Sequence, residues 1–307
     1  MLPQTLFVLA SALSAVTAGP VRKRCSGRDG TPVASSSSNL PGSSTTASAT
    51  ESASASASAS ASASASATAG PATGPTLPST GSGTQLPGPS GQLQHIVVGH
   101  GIQNYTCEKA DSTASSATGA LAVLYDITNM APGSTTTSTT AGGSAAAAAP
   151  MTEAAWSSLS NDVLHKTDIP LNIVGNALTK YAADVAAPFK PTGSDADLSM
   201  DGLAAPLKAI GHHFFDAAGV PTFDLFGTGQ KLVAKKLNDT AAPAGADKGL
   251  LDTGAVAWLR LGDNGAGGSK GLSLVYRVYT SGGASIACSE ANTTISVPYT
   301  AQYWFYE

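Results

Sequence analysis

Residues Gly271–Thr280 read Gly-Leu-Ser-Leu-Val-Tyr-Arg-Val-Tyr-Thr. Leu272, Leu274, Tyr276 and Val278 fall on one side of a period-two pattern, with Ser273 and Arg277 opposite. Such alternation, rich in branched and aromatic residues, predicts a half-buried β-strand. Working outward, Ala255–Leu261, Ala120–Ile127 and Tyr299–Tyr306 read as further strands, and Gln94–Cys107 as a strand or strand pair. Gly262-Asp263-Asn264-Gly265-Ala266-Gly267-Gly268 and Ser281-Gly282-Gly283 read as turns between them. Strands joined by short glycine turns predict an all-β antiparallel sandwich or barrel, not a wound α/β sheet.

One short helix interrupts this pattern. Thr152 is placed to cap it, Glu153 sits in its first turn, and Trp156, Leu159 and Val163 recur at helical spacing through Lys166. Before it, Ala131–Pro150 is rich in Thr, Ser and Ala and reads as a flexible surface insert, with Ala145–Ala149 a candidate extension of the helix.

The front of the chain is different in kind. Residues 1–18 carry a short apolar run, Leu6 to Ala15, followed by small residues up to Ala18, and read as a signal peptide cleaved after Ala18. The run is too short to cross a bilayer as a helix, and no later stretch is long and apolar enough. Lys23-Arg24 offers a dibasic processing site or a plain solvated charge cluster. From 19 to 92 the chain reads as a disordered spacer, with Ser-Ala alternation from Ser52 to Ala67. It has too little apolar surface to offset chain entropy, and its Ser/Thr content suits an O-glycosylated stalk. The expected organisation is therefore leader 1–18, spacer 19–92 and a folded all-β domain 93–307.

Charge and cysteines narrow the setting. The 307-residue chain has a formal net charge of −4 and only 12% charged residues. No basic surface points to nucleic acid or anionic lipid. Export implies an oxidising compartment. Cys107 and Cys288 lie at opposite ends of the folded part and are expected to pair, leaving Cys25 in the flexible arm. Asn104, Asn238 and Asn292 each open an Asn-x-Ser/Thr sequon, Asn238 in surroundings that read as loop. The implied location is extracellular, with association to a cell wall.

Several segments, in order, resemble the domain-of-unknown-function 3455 family, common in secreted fungal proteins. They are Gly101-Ile102-Gln103-Asn104-Tyr105-Thr106-Cys107, Gly219-Val220-Pro221-Thr222-Phe223-Asp224-Leu225, Ala257–Leu261, Tyr276–Gly283 and Val297–Tyr306. The resemblance covers roughly Val98 to Tyr306. It supports the Cys107–Cys288 pairing and implies no particular activity, although some similar sequences carry a malate-dehydrogenase label.

That label fits the residues poorly. A dinucleotide site needs a strand, a glycine turn and a helix whose N-terminus holds the pyrophosphate. In Val97-Val98-Gly99-His100-Gly101 the third glycine position holds Asn104, and Tyr105-Thr106-Cys107 follows without a helix signal. For metal binding, neutral imidazole and carboxylate near His212, His213, Asp216 and Asp224 could hold zinc or copper, but no spacing is diagnostic. Hydrolase chemistry finds no Gly-x-Ser-x-Gly elbow. Asp216 and Asp224 would serve as paired acids only if folding gathers them in one cleft.

Aromatic residues leave a binding role open. Trp258, Trp304, Tyr303, Tyr306, Phe214, Phe215 and Phe223 could present faces to sugars or partner proteins, although most such rings in a β body fill the core. Alternation sets Tyr303 and Trp304 on opposite faces, so one of them is expected to be exposed. The sequence therefore calls for no cofactor. It favours a non-enzymatic extracellular binding or structural module whose partners are cell-wall carbohydrate or a surface protein. The candidate ligand patch is His213, Asp224 and Trp258. The rival is an extracellular enzyme, hydrolytic or metal-dependent, built on the His213–Asp224 region.

Overall fold

Eight strands alternate in direction and each pairs with its sequence neighbours, and the last pairs with the first. The result is a closed antiparallel barrel, which resolves the choice between sandwich and barrel. The computed structural model describes residues 75–307 apart from 82, 113–114, 135–148, 177–178 and 192–195. The leader with Ala18, the Lys23-Arg24 pair, Cys25, the spacer up to residue 74 and most of the Ala131–Pro150 insert lie outside the described residues.

The strands are β1 (Leu93–Cys107), β2 (Ser116–Asp126), β3 (Ala209–Phe215), β4 (Pro221–Leu225), β5 (Gln230–Thr240), β6 (Trp258–Asp263), β7 (Leu274–Gly282) and β8 (Thr293–Tyr306). The helix α1 spans Glu153–Lys166, and Thr152 caps it by accepting from the Ala155 amide at 3.3 Å. Ala149 and Pro150 lie outside it, so the helix begins at its cap and not in the alanine run. Strands β3 to β5 were not anticipated as strands. β4 has only five residues, and five consecutive residues of β5, Lys235–Asp239, are exposed.

Eight strands enclose just enough room for side chains to fill the interior. Val97, Leu124, Ile210, Phe223, Leu232, Leu261, Val275 and Phe305, one from each strand, belong to one buried cluster. A second cluster lies outside the barrel wall, where α1 sets Trp156, Leu159 and Val163 against Ile96, Val98, Tyr276, Val278 and Trp304. Each of those helix side chains contributes about 1.5–3 kcal/mol by leaving water.

β1, β7 and β8 are therefore covered on both faces. Tyr303 faces the interior and Trp304 faces α1, meeting Trp156 at 6.3 Å. Both rings are buried, so the expected exposed aromatic is absent at this pair. In β7 the apolar side Leu274, Tyr276 and Val278 faces outward to the helix layer. Arg277 is paired with Tyr303 and so turns inward, where its Nε and Nη2 donate to the Ala257 carbonyl at 3.1 and 2.8 Å.

One end of the barrel is closed by loops. Cys107 at the end of β1 is bonded to Cys288 in the β7–β8 loop, with S–S 2.05 Å and Cα–Cα 5.6 Å. Tyr105, Ile295 and Val297 bury the bridge, and the Tyr105 hydroxyl donates to the Gly283 carbonyl at 2.6 Å. On the outer wall, Leu77 and Leu86 pack against the helix-side cluster, and the Tyr276 hydroxyl donates to the Pro87 carbonyl at 2.8 Å. Part of the expected spacer thus lies against the barrel.

Candidate functional site

Strand alternation decides the fate of the predicted patch. His213 pairs with Ala122 and Phe223, both interior residues, so it points into the barrel. Its ring stacks on Phe223 at 4.1 Å and its Nδ1 donates to the Thr222 carbonyl at 2.9 Å. Burial lowers its pKa to about 4, the bond to Thr222 opposing and Arg277 reinforcing the shift. Asp224 pairs with His212 on the outer face. His212 in turn stacks on Phe189 at 3.9 Å. Trp258 opens β6 and packs in the helix-side cluster. The three side chains are therefore not brought together: His213 is a core residue, Asp224 sits on the opposite face, and Trp258 belongs elsewhere. Among the described residues no three His, Cys, Asp or Glu side chains converge as a metal set would.

The glycine motif has a structural explanation. Gly99 and Gly101 lie mid-strand in β1, and a Cβ on Gly101 would fall 1.9 Å from the Leu121 carbonyl oxygen. Glycine permits this close approach of β1 to β2. Gly265–Gly268 is the hairpin loop between β6 and β7.

Trp258 lines a cleft of about 420 Å³ built from three segments. α1 supplies Ser157, Ser158, Ser160 and Asn161; the β5–β6 loop supplies Pro243, Gly245, Ala246 and Asp247; β7 supplies Tyr279, Thr280 and Ser281. The volume suits a small ligand. Six buried side-chain polar atoms among the described residues lack a hydrogen-bond partner in the protein, and three belong to residues that line this cleft, lying behind its surface: Ser160 Oγ, Asn161 Oδ1 and Trp258 Nε1. Each orphan costs about 1–3 kcal/mol unless a partner arrives.

Tyr279 reaches the cleft through backbone strain. Alternation after Arg277 would send it inward. Between Val278 and Ser281 the β7–β8 register shifts, and Tyr279 takes φ 47°. Its ring emerges on the helix side, edge-on to Trp258 at 5.7 Å. A left-handed bulky residue is uncommon, and such strain clusters at functional positions. Burial raises its phenol pKa, and Glu153 adds to the shift.

Asp247 supplies the charge. Its Oδ1 accepts from Ser281 Oγ at 2.6 Å, the Gly249 amide at 2.8 Å and His165 Nε2 at 2.9 Å. Burial alone would raise its pKa, but the bonds from Ser281, His165 and Gly249 outweigh it and hold the carboxyl below its usual range. Serine, histidine and aspartate meet here in the wrong order for nucleophilic catalysis. The carboxylate bridges the other two, so the imidazole cannot take the serine proton. The cleft lining holds one carboxylate, whereas glycoside hydrolysis uses a pair.

A larger groove of about 790 Å³ runs between the outer wall at Ile102 and Leu121 and the 174–189 loop. None of its lining residues carries an unpartnered buried atom. Of the sequons, Asn104 lies within β1 at its edge and accepts from Ser296 Oγ at 2.8 Å. Asn238 is exposed, but on β5 and not in a loop, and accepts from Arg260 Nη1 at 3.3 Å. Asn292 is exposed just before β8, with φ 57°.

Fold and site together define an eight-stranded antiparallel barrel protein with a helix-walled polar and aromatic cleft on its outer face. The chain belongs to the family described as Protein of unknown function (DUF3455), which matches residues 87–307. No curated protein and no solved structure matches it. Sequence reading named Trp258 but missed Ser160, Asn161, Asp247 and Tyr279. One signal was available: Ser160 lies midway between Trp156 and Leu164 on the apolar stripe of α1.

Proposed function

We propose that this chain is an exported saccharide-binding module whose ligand sits in the cleft between α1 and β7. The observation that carries the reading is a cleft in which the Tyr279 ring, turned outward by the register shift in β7, stands beside Ser157, Ser158 and the Asp247 carboxylate. A sugar matches these groups. Its hydroxyls donate to the Ser157 and Ser158 hydroxyls and to the Asp247 carboxylate, which line the cleft. Its C–H faces lie against the half-buried Tyr279 ring. Export is supported by the leader-like residues 1–18 and by a disulfide, which suits an oxidising compartment. In that setting a cell-wall or surface polysaccharide is the natural partner.

The test is a glycan-array screen of the secreted full chain, followed by calorimetric titration with the retained sugars. Tyr279→Leu removes the ring face and keeps apolar bulk. It is expected to weaken binding about ten-fold, the worth of one aromatic contact. Equal affinity of Tyr279→Leu and the parent would place the site elsewhere. No retained sugar at all would end the saccharide reading.

A further inference from the structure

We propose that the cleft selects amino sugars, saccharides bearing a protonated primary amine, over their N-acetylated and acidic counterparts. This rests on the saccharide reading above and goes beyond it to the ligand's charge. Asp247 is the single formally charged residue lining the cleft. Its three bonds all fall on Oδ1, so Oδ2 keeps its full accepting capacity among the described residues. Those bonds also fix the carboxylate in place, so a ligand need not order it. The adjacent lysine does not neutralise it: Lys248 Nζ turns to Asp252 at 3.6 Å. His165 donates its Nε2–H to Oδ1.

Other groups add to the same bias. Glu153 acts on Tyr279 from the start of α1, placing a second negative charge near the ring. The Tyr279 face attracts a cation. An ammonium would therefore gain a charge-assisted bond at Asp247 and a ring contact at Tyr279. An acetamide would gain neither, and a uronic acid would meet like charge.

The experiment is calorimetric titration of the full chain at pH 6, where a primary amine is protonated. The probes are tetramers of glucosamine, N-acetylglucosamine and galacturonic acid. The glucosamine tetramer is expected to bind about ten-fold or more tightly than the acetylated one, since a hydrogen bond to a charged group exceeds a neutral one. Asp247→Asn should abolish that preference. Should Asp247→Asn not fold, added salt on the parent protein decides: the preference should shrink as ionic strength rises. Equal binding of the two tetramers, a preference that survives Asp247→Asn, or one indifferent to salt overturns the amine inference alone. Equally tight binding of a lysine-containing peptide would keep the amine contact without a sugar, and overturns the saccharide reading. Binding of none of the three tetramers overturns both.

Discussion

Tyr279 meets Trp258 edge-on at 5.7 Å although β7 should carry the tyrosine into the barrel. The two rings meet because the strand slips register at that residue and holds it at positive φ. The contact couples the cleft to a strained backbone position. Sites that keep such strain usually need the side chain where it is.

Replacing Tyr279 separates strain from use. Tyr279→Gly loses ring packing but relaxes the left-handed residue, where glycine suffers no steric penalty. The net change in unfolding free energy is expected within about 1–2 kcal/mol. Sugar binding should fall by ten-fold or more. Denaturant unfolding and calorimetry read the two effects, and retained affinity would show that the ring does not touch ligand.

Gly101→Ala should be far more damaging than a methyl group suggests. The new Cβ would press on the backbone of Leu121 and Ala122, which belong to a paired strand and cannot move aside. Destabilisation at or above the ~1–3 kcal/mol typical of overpacking is expected. Gly265→Ala is a useful contrast, since it faces open space and bears only the penalty of its positive φ. Similar melting temperatures for the two variants would contradict the packing argument.

Breaking the disulfide should loosen the closed end of the barrel. Cys107 and Cys288 are 181 residues apart, a long loop to hold together in the unfolded chain. The double variant Cys107→Ser, Cys288→Ser is expected to lose about 2–4 kcal/mol. Hydrogen exchange should rise first around Tyr105 and Ile295, which pack on the bridge. Unchanged protection there would mean that the loops close without it.

Acid should destabilise the fold above pH 4. Burial holds His213 at about 4 and His100 at about 3, both below the ordinary 6.5. Above 6.5 neither state binds the protons. Below it the unfolded chain takes them up first, so stability falls as pH falls towards the folded values. Each histidine contributes at most ~1.4 kcal/mol per pH unit in that window. Unfolding midpoints at pH 7 and 5 measure the slope, and His213→Phe should reduce it by roughly a third to a half, since burial lowers His212 as well. A flat profile in the parent protein would mean that neither imidazole is held neutral.

Much of the barrel was legible because its long strands carry period-two apolar faces, as β7 and β8 do. What alternation could not tell was which face was inside. In β7 the apolar face turned out to serve the helix, and Arg277 the interior. β5 was hidden by its solvent-facing lysines, and β3 by its two histidines. The cleft was harder still. Asp247, Ser160 and Tyr279 come from segments far apart in sequence, and only Trp258 announced itself by type. The bulge that turns Tyr279 outward leaves no mark in composition.

The seam between β1 and β8 carries a kinetic consequence. These strands stand at opposite ends of the described chain, yet their pairing is the longest in the sheet. Seven strands can assemble as a meander while the eighth is still being made, leaving two raw edges with unpaired amides and carbonyls. Long-range closure of this sort is slow and exposes the edges to neighbouring chains. A crowded nascent protein would therefore be most prone to edge-to-edge clumping in the interval before its final strand arrives.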